Sequence, residues 1–87
     1  MARYISLHTL ACLTRQGAEQ LAERLTRAEP CITRRVLVSS LEGKMLVEFD
    51  APDREALEKW LTAERIHYDW LLRVDYESKD GRMEPAA

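Results

Sequence analysis

The chain has 87 residues, of which 46% are hydrophobic and 32% are charged, and its formal net charge is −2. This length fits one small domain, which buries only roughly 60–65% of its unfolded surface, so a second subunit would add stability. The slight acidic excess and the lack of a long apolar run argue against nucleic-acid and membrane partners. Because the N-terminus lacks a signal-peptide pattern, the sequence predicts a cytoplasmic protein with reduced Cys12 and Cys31.

The first half of the chain predicts a strand, a helix and a hairpin. Apolar and polar side chains alternate over residues 3–10, as in a strand. Thr14 is the expected N-cap of a helix with an apolar stripe over residues 18–25. The β-branched run 33–40 and the alternating run 44–50 then enclose a short Gly-containing turn, which indicates a hairpin.

The second half predicts one more helix and one more strand. Asp53 is the expected N-cap of the helix, which buries Leu57 and Leu61. Residues 68–76 form the last strand, and the polar residues 78–87 are expected to be a flexible tail.

The order β-α-β-β-α-β predicts an α+β, ferredoxin-like domain over residues 1–77. Right-handed crossovers give a four-stranded antiparallel sheet in the order 4-1-3-2, with both helices on one face. The helix-facing side is expected to take Ile5, Leu7, Val36, Val38, Met45, Val47 and Phe49.

The opposite, open face of the sheet is the expected place for a function. It is predicted to carry Tyr4, Ser6, His8 and Leu10 from strand one, Lys44, Leu46 and Glu48 from strand three, and Arg35, Leu37 and Ser39 from strand two. Strand four adds either Leu71, Arg73 and Asp75 or Trp70, Leu72, Val74 and Tyr76. Because this mixture exposes much apolar area, the face is expected to pair with a second copy and enclose a polar-lined cavity.

His8 is the candidate for chemistry at this face. An imidazole beside Glu48 can coordinate nickel or zinc, or act as a general base. Tyr4, Glu48, Arg35 and Arg73 are the side chains expected to contact a bound small molecule. Cys12 follows His8 by four residues, a spacing that suits a metal only if further ligands converge. His67 is expected in the same region as His8, because antiparallel pairing places the start of strand four near the end of strand one.

Several residues and segments also carry a family resemblance. They are Tyr4 and His8 in the first strand, the helix start at 18–23, Gly43-Lys44, and the helix start at 51–57. In these the chain resembles the dimeric α+β barrel superfamily and, within it, a small bacterial family of unknown function that includes a nickel-binding member. The resemblance implies a homodimer with an enclosed cavity.

Three functions stay open at this point. The first is a homodimer that binds a small ligand or a divalent metal at the open face. The second is a cofactor-independent isomerase or monooxygenase-like enzyme with His8 as general base, and the third is a regulatory or interaction module without a site.

Overall fold

The computed structural model describes residues 1–11 and 14–86. Its elements are β1 (Ala2–Thr9), α1 (Arg15–Leu25), β2 (Ile32–Ser39), β3 (Lys44–Ala51), α2 (Arg54–Ala63), β4 (Trp70–Val74), β5 (Tyr76–Lys79) and β6 (Arg82–Pro85). The first six elements follow the predicted succession of strands and helices.

The first four strands form one antiparallel sheet in the order β2-β3-β1-β4, which confirms the expected neighbours. β1 and β3 lie in the centre, and β2 and β4 are the edges. Leu25 of α1 and Leu57 and Leu61 of α2 pack with inward side chains of the sheet in one apolar core. The fold is therefore a two-layer α+β domain, with helices over one face and the other face open.

Both helices begin where the sequence predicts. The Thr14 hydroxyl accepts a hydrogen bond from the Gly17 amide at 3.0 Å, and the Asp53 carboxylate accepts one from the Ala56 amide at 2.7 Å. Each cap satisfies a backbone N–H that the first helical turn leaves without a partner.

The C-terminal segment differs from the flexible tail that the sequence predicts for residues 78–87. β5 and β6 pair with each other through residues 76–79 and 82–85 as a two-stranded hairpin. Its turn residues, Asp80 and Gly81, both have positive φ, of 52° and 79°, as in a type I′ turn. The Arg3 guanidinium donates to Glu77 at 2.9 Å, which ties the hairpin to the main sheet.

The predicted facing of β1 is wrong. Tyr4, Ser6 and His8 are buried on the helix side, opposite Phe49, Val47 and Met45 of β3. Ile5 and Leu7 therefore lie on the open face, because successive side chains of a strand alternate between faces. The inward positions of β2 and β3 are those predicted: Val36, Val38, Met45, Val47 and Phe49.

Candidate functional site

The open face is arranged in rows that run across the strands. One row is entirely apolar and contains one residue from each strand, and we call it the apolar row. Its members, from β2 to β4, are Leu37, Leu46, Leu7 and Trp70. Ile5 and Leu72 adjoin it in the next row on β1 and β4, so the apolar surface is continuous.

Charged side chains on one side of the apolar row are paired with each other. Arg35 and Glu48 sit opposite each other on β2 and β3 and form an ion pair with an N–O distance of 2.5 Å. Asp50 lies between Arg3, at 3.9 Å, and Arg34, at 2.5 Å. These carboxylates and guanidinium groups largely neutralise one another within the face.

A row of polar residues borders the other side of the apolar row. Lys44 of β3 lies opposite Thr9 of β1, and its Nζ donates to the Thr9 hydroxyl at 2.7 Å. Thr9 in turn donates to the Asp69 carboxylate. The polar row is therefore tied together by hydrogen bonds that run from β3 through β1 to the loop before β4.

A depression of about 470 Å³ lies where the apolar row meets the polar row. It is lined by Leu7, Leu37, Val38, Ser39, Glu42, Lys44 and Leu46. This volume falls within the range of small-molecule sites, about 300–1,000 Å³, which combine an apolar lining with a few polar groups.

The structure separates the sequence-predicted site residues into two groups. Glu48 and Arg35 lie on the open face, as predicted, and they form an ion pair with each other. Tyr4 and His8 lie on the other side of the sheet. Arg73 is opposite Tyr4 in the ladder, so it does not face the open side as predicted, and it forms an ion pair with Asp75 at 3.2 Å.

His8 is buried and its two ring nitrogens are both hydrogen-bonded. Nδ1 lies 2.6 Å from the carbonyl oxygen of His67 and Nε2 lies 2.7 Å from the Ser6 hydroxyl. A carbonyl only accepts, so Nδ1 carries the proton, and in the neutral ring Nε2 then accepts from Ser6. This arrangement leaves neither nitrogen available for a metal or a substrate. It also confirms that His8 and residue 67 lie in one region.

Burial lowers the pKa of His8 below its usual value of 6.5, against the opposing effects of the His67 carbonyl and the Asp69 charge. A charged imidazole loses more hydration free energy than a neutral one when it is buried. His8 is therefore held neutral inside the domain.

Metal ligands do not converge in the part of the chain that the structure describes. Residues 1–11 and 14–86 contain no group of three or more His, Cys, Asp or Glu side chains that could hold a metal ion. Cys12, the other half of the predicted His8–Cys12 pair, lies outside these residues. Cys31 is buried, and its burial raises the pKa of its thiol, so it is an unreactive thiol at neutral pH.

The sequence interpretation placed Lys44 and Leu46 on the open face, but it did not name Lys44 as a ligand contact and it placed Leu7 on the helix side. Leu7 lies opposite Leu46 in the ladder of β1 and β3, so the two share a face. Trp70 belongs to the second of the two arrangements that the sequence leaves open for strand four, and that arrangement is the one observed.

Comparison with known proteins supports the fold. A scan against protein-family models finds no match, and a search of curated proteins finds no significant match. Among solved structures, the chain is similar to the crystal structure of SCO4226 from Streptomyces coelicolor A3(2), with a TM-score of 0.73 and 15% sequence identity over 88% of this chain and 100% of that one. Identity this low shows the fold alone, a small α+β domain with two helices and a four-stranded antiparallel sheet. None of the helices within residues 1–11 and 14–86 is long and apolar enough to span a bilayer.

Proposed function

We propose that this chain is a ferredoxin-like protein of the dimeric α+β barrel kind, which pairs through its open sheet face and binds a small molecule between the two sheets. The observation that carries the proposal is the apolar row, which crosses all four strands without an interruption by charge. A monomer would leave this continuous apolar surface in water.

The exposed fractions of these side chains are large for apolar residues of a sheet. Leu37 is 46% exposed, Trp70 38% and Leu72 55%, and Ile32 at the far end of the face is 55% exposed. Complete burial of a large aliphatic or aromatic side chain stabilises by about 1.5–3 kcal/mol, and a partner sheet would recover part of that for each residue.

The total surface area of the chain is larger than that of a compact monomer. The accessible surface is 6197 Å² for a chain of 10.1 kDa. A compact monomer of this mass exposes about 5,300 Å² by the usual scaling of area with mass. The excess belongs to the open face together with the C-terminal hairpin, whose strand residues are all exposed.

The charges on the face favour a second copy over a charged partner. Arg35 is neutralised by Glu48, and Asp50 by Arg3 and Arg34, before any partner arrives. Two such faces meet without bringing uncompensated like charges together, which would cost several kcal/mol. A nucleic acid or an acidic peptide would find few free cations there.

The position of His8 does not support the metal site or the enzymatic reaction that the sequence interpretation builds on this residue. Both of those alternatives place His8 at the open face, and its ring lies on the other side of the sheet. The depression at the apolar row supports ligand binding without His8. The cytoplasmic location expected from the sequence stays a prediction.

Light scattering coupled to size exclusion tests the pairing. We expect the wild-type chain to elute at twice its 10.1 kDa mass and Leu72→Glu to shift it to the monomer. Leu41→Glu is the matched control, because Leu41 is 98% exposed in the turn between β2 and β3 and lies off the face. A wild-type monomer at all concentrations, or a Leu72→Glu dimer as stable as the wild type, would contradict the proposal. A stable dimer that binds no small molecule would instead favour the interaction module.

A further inference from the structure

We infer that the depression at the end of the apolar row binds an amphipathic anion, a molecule with an apolar body and one carboxylate or sulfonate group that contacts Lys44. The inference deepens the proposed function and rests on it for the second sheet that covers the ligand. The anionic group contacts Lys44, and the apolar body packs against Leu7, Leu37 and Leu46.

Lys44 differs from the other cations of the open face. Arg3 and Arg35 both contact carboxylates, whereas Lys44 contacts only the neutral Thr9 hydroxyl, and no carboxylate of the described residues lies within 4 Å of its Nζ. An ammonium group has three N–H donors, so two remain for a ligand. Within the described residues, Lys44 thus makes no direct ion pair at the edge of the apolar surface, and it is linked to the Asp69 carboxylate only through the Thr9 hydroxyl.

Lys44 is also held in place. Thr9 donates its own hydroxyl proton to Asp69, so its oxygen lone pairs are free to accept from the ammonium group. Lys44 is half-buried in β3, and a lysine stem lies readily along apolar surface while its ammonium group stays in water. A cation oriented before the ligand arrives loses less conformational entropy on binding.

The remaining lining specifies the rest of the ligand. Leu7, Leu37 and Leu46 form the apolar floor, which suits an aromatic or branched aliphatic body. Glu42 lies at the same rim as Lys44. Because its carboxylate would repel a second negative charge, the site favours monoanions over dianions.

A pair of fluorescent probes tests this directly. 1-Anilinonaphthalene-8-sulfonate and N-phenyl-1-naphthylamine have the same apolar body, and only the first carries a sulfonate. We expect the wild-type protein to bind the sulfonate at least about tenfold more tightly, as for a hydrogen bond to a charged group. Lys44→Met should remove that preference and leave the affinity for the neutral probe unchanged.

Two further variants make the result specific. Lys59→Met removes an exposed lysine from α2 and should keep the full preference, and Lys44→Arg should keep most of it because the cation remains. Thermal melts of each variant establish that it is folded. Equal affinity for the two probes in the wild type, or an unchanged preference in Lys44→Met, would overturn the inference.

The mass of each sample, measured in the same buffer, separates this inference from the proposed pairing. A dimer that binds neither probe overturns the anion site and leaves the pairing intact. A monomer that binds the sulfonate probe more tightly than the neutral probe, and loses this preference in Lys44→Met, supports the anion site and overturns the pairing.

Discussion

Replacing Ser6 with Ala should destabilise the domain by about 2 kcal/mol, although it removes only one oxygen atom. Ser6 and His8 are completely buried, and the Ser6 hydroxyl is the hydrogen-bond partner of His8 Nε2 at 2.7 Å. The substitution leaves that nitrogen without a partner in the core, and a buried polar group left unpaired costs about 1–3 kcal/mol. For a domain of this size, 2 kcal/mol corresponds to a fall of roughly 8–16 °C in Tm.

Urea and thermal unfolding followed by circular dichroism measure the loss, at one protein concentration because association shifts apparent stability. Ser78→Ala is the control: Ser78 is an exposed strand serine in β5, and its substitution should change stability by less than about 0.5 kcal/mol. The reasoning is refuted if Ser6→Ala costs no more than Ser78→Ala. In a double variant with His8→Phe, the combined loss should be smaller than the sum, since the unpaired nitrogen is gone.

Three other predictions concern the pH dependence of stability, a glycine in a turn and a helix cap. Burial lowers the folded-state pKa of His8 below 6.5, so its contribution to stability is complete above pH 6.5 and declines as the pH falls toward that lower pKa. Urea unfolding at about pH 7.5 and about pH 5.5 should show this loss of stability in the wild type and a smaller loss in His8→Phe. His67→Ala is the control, and because the His67 side chain is exposed, this variant should lose as much stability as the wild type. Gly43→Ala should cost more in Tm than Gly81→Ala: both have positive φ, but only at Gly43 would the new Cβ meet a backbone oxygen, at 3.0 Å. Asp53→Ala should lower the free energy of unfolding by about 1 kcal/mol and Asp53→Asn by much less, because the amide oxygen still caps α2; equal losses would contradict the capping role.

Which side chains of β1 face the helices could not be predicted from the sequence. Hydropathy favours burying Ile5 and Leu7, but burial of His8 is acceptable because Ser6 and the His67 carbonyl satisfy its ring. That carbonyl is 59 residues away in the chain, so no local pattern indicates it. The element order, both helix caps and the inward side of β3 depend on local spacing, and these were predictable.

The C-terminal hairpin was missed for a different reason. Asp80-Gly81 is a recognised signal for a two-residue hairpin turn, and both residues adopt the positive φ that such a turn needs. The flanking strands are short and exposed, so they lack the alternation of apolar and polar residues that indicates a strand. The Asp80-Gly81 pair was therefore the main local sequence signal for the β5–β6 hairpin.

The position of β1 in the sheet has a consequence for the order in which the domain assembles. β1 comes first in the chain, yet its two neighbours are β3 and β4, which begin at residues 44 and 70. During synthesis β1 therefore stays unpaired until β3 and β4 emerge, whereas the β2–β3 hairpin forms from adjacent segments. Tyr4, Ser6 and His8 make its inward side more polar than the Met45, Val47 and Phe49 of β3. An early strand with polar groups on that side is less prone to associate with other nascent chains before its partners emerge.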